Sequence, residues 1–267
     1  MKYTSRTIRL GDSGLVQSVS RGAHDFLYRV STVKDPKFNI GDEVEIGGGR
    51  TAVYAKNKGD NALYASHGCE FTLTGLLGYK AFATSHAVGD TTITVAADTH
   101  DALAEDALAG GFVIIFDGAS DYYTTTRMIT GNAASAEDAA VTLYLDGALS
   151  YAITAGTSVS EVYRNPYSAI DVASNAAKPK AGCPMAYVPA SESYFWILKE
   201  GICWVAPQST VGNDHGGVGI CWRHDGTIEG AETALGGTVP AVDGSQIAGY
   251  VVSGSQAGNG PLINLKC

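Results

Sequence analysis

Apolar residues in this chain arrive in short bursts, and nearly every burst is closed by Gly, Asp or Ser. Tyr194-Phe195-Trp196-Ile197-Leu198, Gly201-Ile202-Cys203-Trp204-Val205-Ala206, Gly217-Val218-Gly219-Ile220-Cys221-Trp222, Ile247-Ala248-Gly249-Tyr250-Val251-Val252 and Pro261-Leu262-Ile263-Asn264-Leu265 are each five or six residues long. That is the length of a β-strand and too short for an ordinary helix. Glycine occupies 33 of 267 positions, about 12% against about 7% in average proteins, so the chain has turns to spare. Sustained 3.6-residue spacing is missing. Only Asp98 to Leu108, alanine-rich with Asp98 as cap, predicts one or two helical turns.

The first half has the same texture. Phe38 to Ile46 alternates with one break, Gly47-Gly48-Gly49 turns the chain, and Arg50-Thr51-Ala52-Val53-Tyr54 returns, which predicts a hairpin. Asp90 to Val95, Phe112 to Phe116 and Val141 to Leu145 predict three more strands, the last two ending at Asp117-Gly118 and Asp146-Gly147. Charge divides the chain as well. Residues 1–34 carry six bases against two acids, and residues 85–165 eleven acids against two bases. The resulting expectation is an all-β protein: two small antiparallel β barrel or sandwich units, an extended N-terminal arm and little helix. The expected boundaries are a basic arm at 1–34, a first β region at 35–176, a linker at 177–184 around Pro179 and Pro184, and a C-terminal β domain at 185–267.

With 45% hydrophobic and 17% charged residues the chain is not of the disordered class, and its formal charge of −9 argues against direct nucleic-acid binding. The longest apolar run, Leu108 to Phe116, is broken by Gly110 and Gly111 and predicts no membrane span. No apolar stretch follows the first residues, so no secretory signal is expected, and the odd, scattered set Cys69, Cys183, Cys203, Cys221 and Cys267 is expected as free thiols of a protein assembled in cytoplasm.

Each candidate for chemistry has a plainer structural role. Gly11-Asp12-Ser13-Gly14 has the form of a protease serine motif, but His24 is the first histidine and follows Ser13, the reverse of that order, so a turn is expected. Cys203, His215, Cys221 and His224 have the elements of a zinc set or a Cys-His pair. Only Cys221 and His224 are close enough in sequence, and both cysteines sit in apolar strand patterns as small hydrophobes. Among Asp117, Asp121, Asp138 and Asp146, an acid pair for glycoside chemistry is conceivable, yet Asp117 and Asp146 precede glycine in strand-ending turns. Gly47-Gly48-Gly49-Arg50 lacks the Lys-Ser/Thr and the helix of a phosphate loop. Tyr122, Tyr123, Tyr163 and Tyr167 are candidates for stacking on a sugar or a partner, about half of them core by strand alternation. No enzyme, cofactor or metal site is expected.

Phe38-Asn39-Ile40-Gly41-Asp42 with Gly49-Arg50-Thr51-Ala52-Val53-Tyr54-Ala55 resembles a hairpin of structural virion proteins of tailed bacteriophages. Gly89 to Val95, then Gly110-Gly111-Phe112 with Asp117-Gly118, then Asn165-Pro166-Tyr167, continue that resemblance. Val218-Gly219 followed by Ile247-Ala248-Gly249-Tyr250 is similar to the end of small β-rich head decoration, or cement, proteins. The resemblance spans roughly residues 38–267 and implies a non-enzymatic capsid decoration protein of the virion. Its implied partners are the major capsid protein and further copies of itself, as a homotrimer. In that setting Arg6, Arg9, Arg21 and Arg29 of the arm are the expected partner-binding residues. A carbohydrate-binding or tail-adhesin module is the alternative.

Overall fold

A computed structural model describes residues 7–9 (backbone only), 25–72, 75–117, 124–175, 177–208, 210–212, 218–231, 246–254 and 260–267. The fold is all-β in two units, as expected, with short 3₁₀ turns at Asp25–Tyr28 and Pro166–Ser168. The chain divides differently from the expected boundaries. Residues 73–166 form one compact unit, and residues 6–72 with 167–267 form the other.

The strands of the larger unit are β1 (Thr7–Arg9), β2 (Glu43–Ile46), β3 (Arg50–Lys56) and β4 (Cys69–Phe71), and those of the inserted unit are β5 (Gly75–Ala81), β6 (Thr92–Val95), β7 (Phe112–Phe116), β8 (Thr125–Asn132), β9 (Val141–Leu145) and β10 (Val159–Tyr163). The chain then returns to the larger unit with β11 (Ile170–Val172), β12 (Lys180–Pro184), β13 (Tyr194–Trp204), β14 (Gly219–Trp222), β15 (Ile228–Gly230), β16 (Ile247–Ser253) and β17 (Leu262–Lys266).

In the larger unit the main sheet runs β1-β2-β3-β13-β17-β16-β14-β15, with β12 also on β13 and linked through β4 to β11. The expected hairpin is β2–β3, closed by the three glycines with Ile46 opposite Arg50. It belongs with the C-terminal half because β3 pairs antiparallel with β13, setting Tyr54 opposite Trp196 and Val53 opposite Ile197. The two apolar runs at 194–198 and 201–206 join into the single strand β13. At Gly201, φ is 111° and a Cβ would fall 2.8 Å from Gly49 O, so only glycine lets the β2–β3 turn close here.

Two expected segments are corrected. The arm does not extend to residue 34: Leu27 is 1% exposed, Phe26 stacks on Phe38 at 5.4 Å, and Phe38 meets Trp196 edge-on at 5.0 Å. Three apolar residues in four, Phe26-Leu27-Tyr28, were too few to mark a packed segment in sequence, but two of them suffice to cover one end of the sheet. Nor is 177–184 a linker. β12 is buried along its whole length, with Cys183 opposite Leu198.

Lys180 lies in β12 and explains the strand's depth. Its Nζ donates to Glu70 Oε2 at 3.0 Å and to Asn175 O at 2.7 Å, while Lys178 reaches Glu70 Oε1 at 3.0 Å. Burial alone would raise the Glu70 carboxyl. The Ser174 amide and the two lysines outweigh it and leave that carboxyl below its ordinary range.

The inserted unit is one antiparallel sheet, β5-β10-β7-β8-β9-β6, around a core that includes Phe82, Ile93, Leu108, Val113, Ile115, Ile129, Leu143, Ile153 and Val162. The helical turns expected at 98–108 are absent. Leu103 instead bridges to Ser135, and Asp98 turns back to the edge strand, accepting from Gly78 N at 3.0 Å, Thr99 N at 2.9 Å and Lys80 Nζ at 2.7 Å. Those bonds, led by Lys80, lower the Asp98 carboxyl to about 2. They also occupy a donor that edge strand β5 would otherwise offer to another chain.

Candidate interaction surface

Of the four arginines expected to bind a partner, Arg6 and Arg21 lie outside the described residues, and Arg9 is described by its backbone, opposite Glu45 in the parallel pairing of β1 with β2. Arg29 is exposed, one residue past the first 3₁₀ turn. Ser13, Asp121, Tyr122, Tyr123 and His215 also lie outside the described residues. Tyr167 is packed edge-on against Phe71 at 5.2 Å in the core of the larger unit, whereas Tyr163 lies on an outward face and donates to Glu161 Oε2 at 2.7 Å. One of the two described tyrosines is thus packed inward, but from the 3₁₀ turn Pro166–Ser168 and not by strand alternation.

The cysteines behave as small hydrophobes. All five are free, and burial pushes the Cys203 thiol up to about 12 and the Cys267 thiol also to about 12, with Cys183 and Cys69 raised for the same reason. Among the described residues, no three His, Cys, Asp or Glu side chains gather as a metal ion would need. In those residues, too, no helix is long and apolar enough to cross a membrane.

What the sheets do present is apolar surface facing outward. In β13 the first half, Phe195 to Leu198, is buried on both faces, but from Gly201 onward only one side is covered. Cys203, Ile263 and Val251 form one cross-strand row facing the core, whereas the neighbouring rows face solvent. One outward row is Ile202, Asn264 and Tyr250. The next brings Trp204 opposite Leu262, with Val252 beside it at a bulge. Trp204 is 47% exposed, and Ile202, Leu262, Tyr250 and Val252 are between 38% and 43%. The Asn264 amide donates to the Tyr250 hydroxyl at 2.7 Å, and Glu200 and Lys266 sit opposite each other at the end of the patch, 3.8 Å apart. A Cβ at Gly260 would fall 1.4 Å from Trp204 Nε1, so the indole lies in the space that a side chain there would take.

The inserted unit has a second such face. Phe116 stands opposite Val159, Ile114 opposite Glu161, and Phe112 between Tyr163 and Met128. Tyr79, 62% exposed, leans on Phe116 with ring centroids 5.2 Å apart. Contiguous exposed apolar surface is a common site of contact between molecules.

Of these outward residues, only Tyr163 was singled out by sequence. A burst such as Ile202 to Val205 reads alike whether a strand is buried on both faces or on one, and only its neighbours distinguish the two. Set against protein-family models, curated proteins and solved structures, the chain matches none.

Proposed function

We propose that this chain is a structural virion protein of a tailed bacteriophage, decorating and stabilising the capsid through contacts with the major capsid protein and carrying out no chemistry of its own. The shell as partner comes from the resemblance of the hairpin and strand motifs. The observation that carries the contact role is the pair of outward apolar faces on two separate units. A cement protein has to hold more than one surface at once, and several modest contacts acting together give avidity beyond any single one. Arg6, Arg9, Arg21 and Arg29 add charge suited to an acidic shell surface.

The test is to mix the purified protein with phage shells lacking it, pellet the particles, and follow their thermal rupture. Saturable co-pelleting and a higher rupture temperature are expected. Removing residues 1–24, which spares Phe26 and Leu27, weakens that binding while tryptophan emission stays unchanged. Shells that neither bind the protein nor gain robustness refute the reading. A second reading, as a glycan-binding module, is favoured by Tyr64 and Tyr187, more than half exposed with centroids 5.7 Å apart. Hits on a glycan array that disappear in Tyr187→Ala would support it.

A further inference from the structure

We propose that the outward face of β13, β17 and β16 is the docking site of a second copy of this chain, the two faces packing about a two-fold axis. The inference goes beyond shell binding: it gives this face to a second copy about a two-fold, where the resemblance implies a homotrimer, and leaves the outward face of the inserted unit for the shell.

Three observations select a second copy as the occupant. The first is the charge of the unit that bears the face. Residues 73–166 hold eleven acids and three bases, net −8, whereas residues 6–72 with 167–267 hold sixteen acids and fourteen bases, net −2. Two copies meeting through the larger unit therefore repel far less than two copies meeting through the inserted one.

The second is complementarity at the rim. Among the described residues, the charged side chains in the outward rows are Glu200 and Lys266, one of each sign, on adjacent strands at one end of the patch. An isologous interface brings residue i against residue j and j against i. Under a two-fold whose axis runs along the strands between β13 and β17, Glu200 meets the partner's Lys266 and the reverse, so opposite charges are paired across the interface and like charges are kept apart.

The third is size and composition. Five apolar side chains roughly two-fifths exposed, two of them aromatic, leave on the order of 500 Å² of apolar surface, at the upper end of what a monomer leaves bare. With Glu200, Asn264, Lys266 and Ser253 around it, the patch approaches the roughly 800 Å² per partner of a standard interface, mostly apolar as homodimer cores are. Trp204 and Tyr250 are of the residue types that dominate such interfaces. Two flat antiparallel faces pack at about 10 Å with their strands within about 30°, the arrangement of a β-sandwich.

Sedimentation velocity over a concentration series reads the association directly. The intact protein is expected to self-associate in a concentration-dependent way, and Trp204→Glu to weaken that by at least roughly 30-fold. Glu200→Lys and Lys266→Glu each weaken it, and the double variant, which restores opposite signs across the two-fold, recovers it. Tyr79→Ser, on the inserted unit, leaves it unchanged. All these positions are exposed, so a far-UV circular dichroism melt suffices to show that each variant is folded. A protein that stays monomeric at high concentration overturns the proposal, as does association indifferent to Trp204→Glu. Shell or glycan binding lost in Trp204→Glu with no self-association in the intact protein assigns the face to that partner instead, and equally overturns it.

Discussion

Replacing His100 by Ala tests whether a histidine in the inserted unit is held as a cation. His100 is 6% exposed, and both ring nitrogens face carbonyl oxygens: Nδ1 lies 2.6 Å from Asp101 O and Nε2 2.8 Å from Ala139 O. A carbonyl only accepts, so both contacts are hydrogen bonds only when both nitrogens carry protons. Burial by itself favours the neutral ring. The two carbonyls and the nearby Asp138 carboxylate outweigh it, against an opposing Arg164, and hold the imidazole above its ordinary value. Asp138 also accepts from the His100 backbone N–H at 2.9 Å, so the ring fastens the 98–101 turn to the 136–139 turn.

Hydrogen bonds from a charged donor contribute about 1.5–3 kcal/mol each, and water entering the vacated space near the surface recovers part of that, so His100→Ala costs roughly 2–4 kcal/mol at about pH 5.5. Because the folded-state value is raised, this contribution is fully present below the unfolded value near 6.5 and is lost as pH rises through the folded one. At a pH well above that folded value the neutral ring keeps one donor, and the cost of the substitution falls by about half. Native-state hydrogen exchange at the amides of Leu103, Ser135 and Asp138, which bond across these turns, measures it. Tryptophan emission is the control, since Trp196, Trp204 and Trp222 all lie in the other unit. A cost that is the same at both pH values, or an imidazole nitrogen spectrum showing a neutral ring at about pH 6, refutes the reasoning.

Glu70→Ala leaves Lys180 charged and buried and should cost about 3–5 kcal/mol in urea unfolding, while Glu70→Leu with Lys180→Met should cost much less. Because the Glu70 carboxyl is lowered, its contribution is present above its unfolded value near 4.3 and disappears as pH falls through the folded one, which an acid titration of tryptophan emission can follow. At about pH 8 the folded protein should react slowly with iodoacetamide, and after denaturation mass spectrometry should find all five cysteines labelled, as raised thiols and no disulfide require. Gly260→Ala should displace the Trp204 indole and weaken self-association without lowering the melting temperature by more than a few degrees, because the indole is at the surface.

Much of this protein was legible one residue at a time. Strand bursts ended by glycine or aspartate, such as Phe112–Phe116 and Val141–Leu145, specify β7 and β9 because alternation and turn chemistry act over a few residues. The three glycines after Ile46 fix the β2–β3 hairpin in the same way. Pairing between distant strands was not legible. That β3 lies beside β13, that residues 73–166 are an insertion, and that β12 is a buried strand depend on which edges meet after collapse, and Pro179 and Pro184 gave the opposite local signal. The candidate surface belongs to this second class. Ile202, Trp204, Tyr250 and Leu262 look like core residues in sequence, and they face outward because the side of β13, β17 and β16 opposite the Cys203–Ile263–Val251 row is left uncovered by the described residues. Local sequence sets which residues form a strand, but whether a strand face is covered is decided only when the rest of the chain has packed.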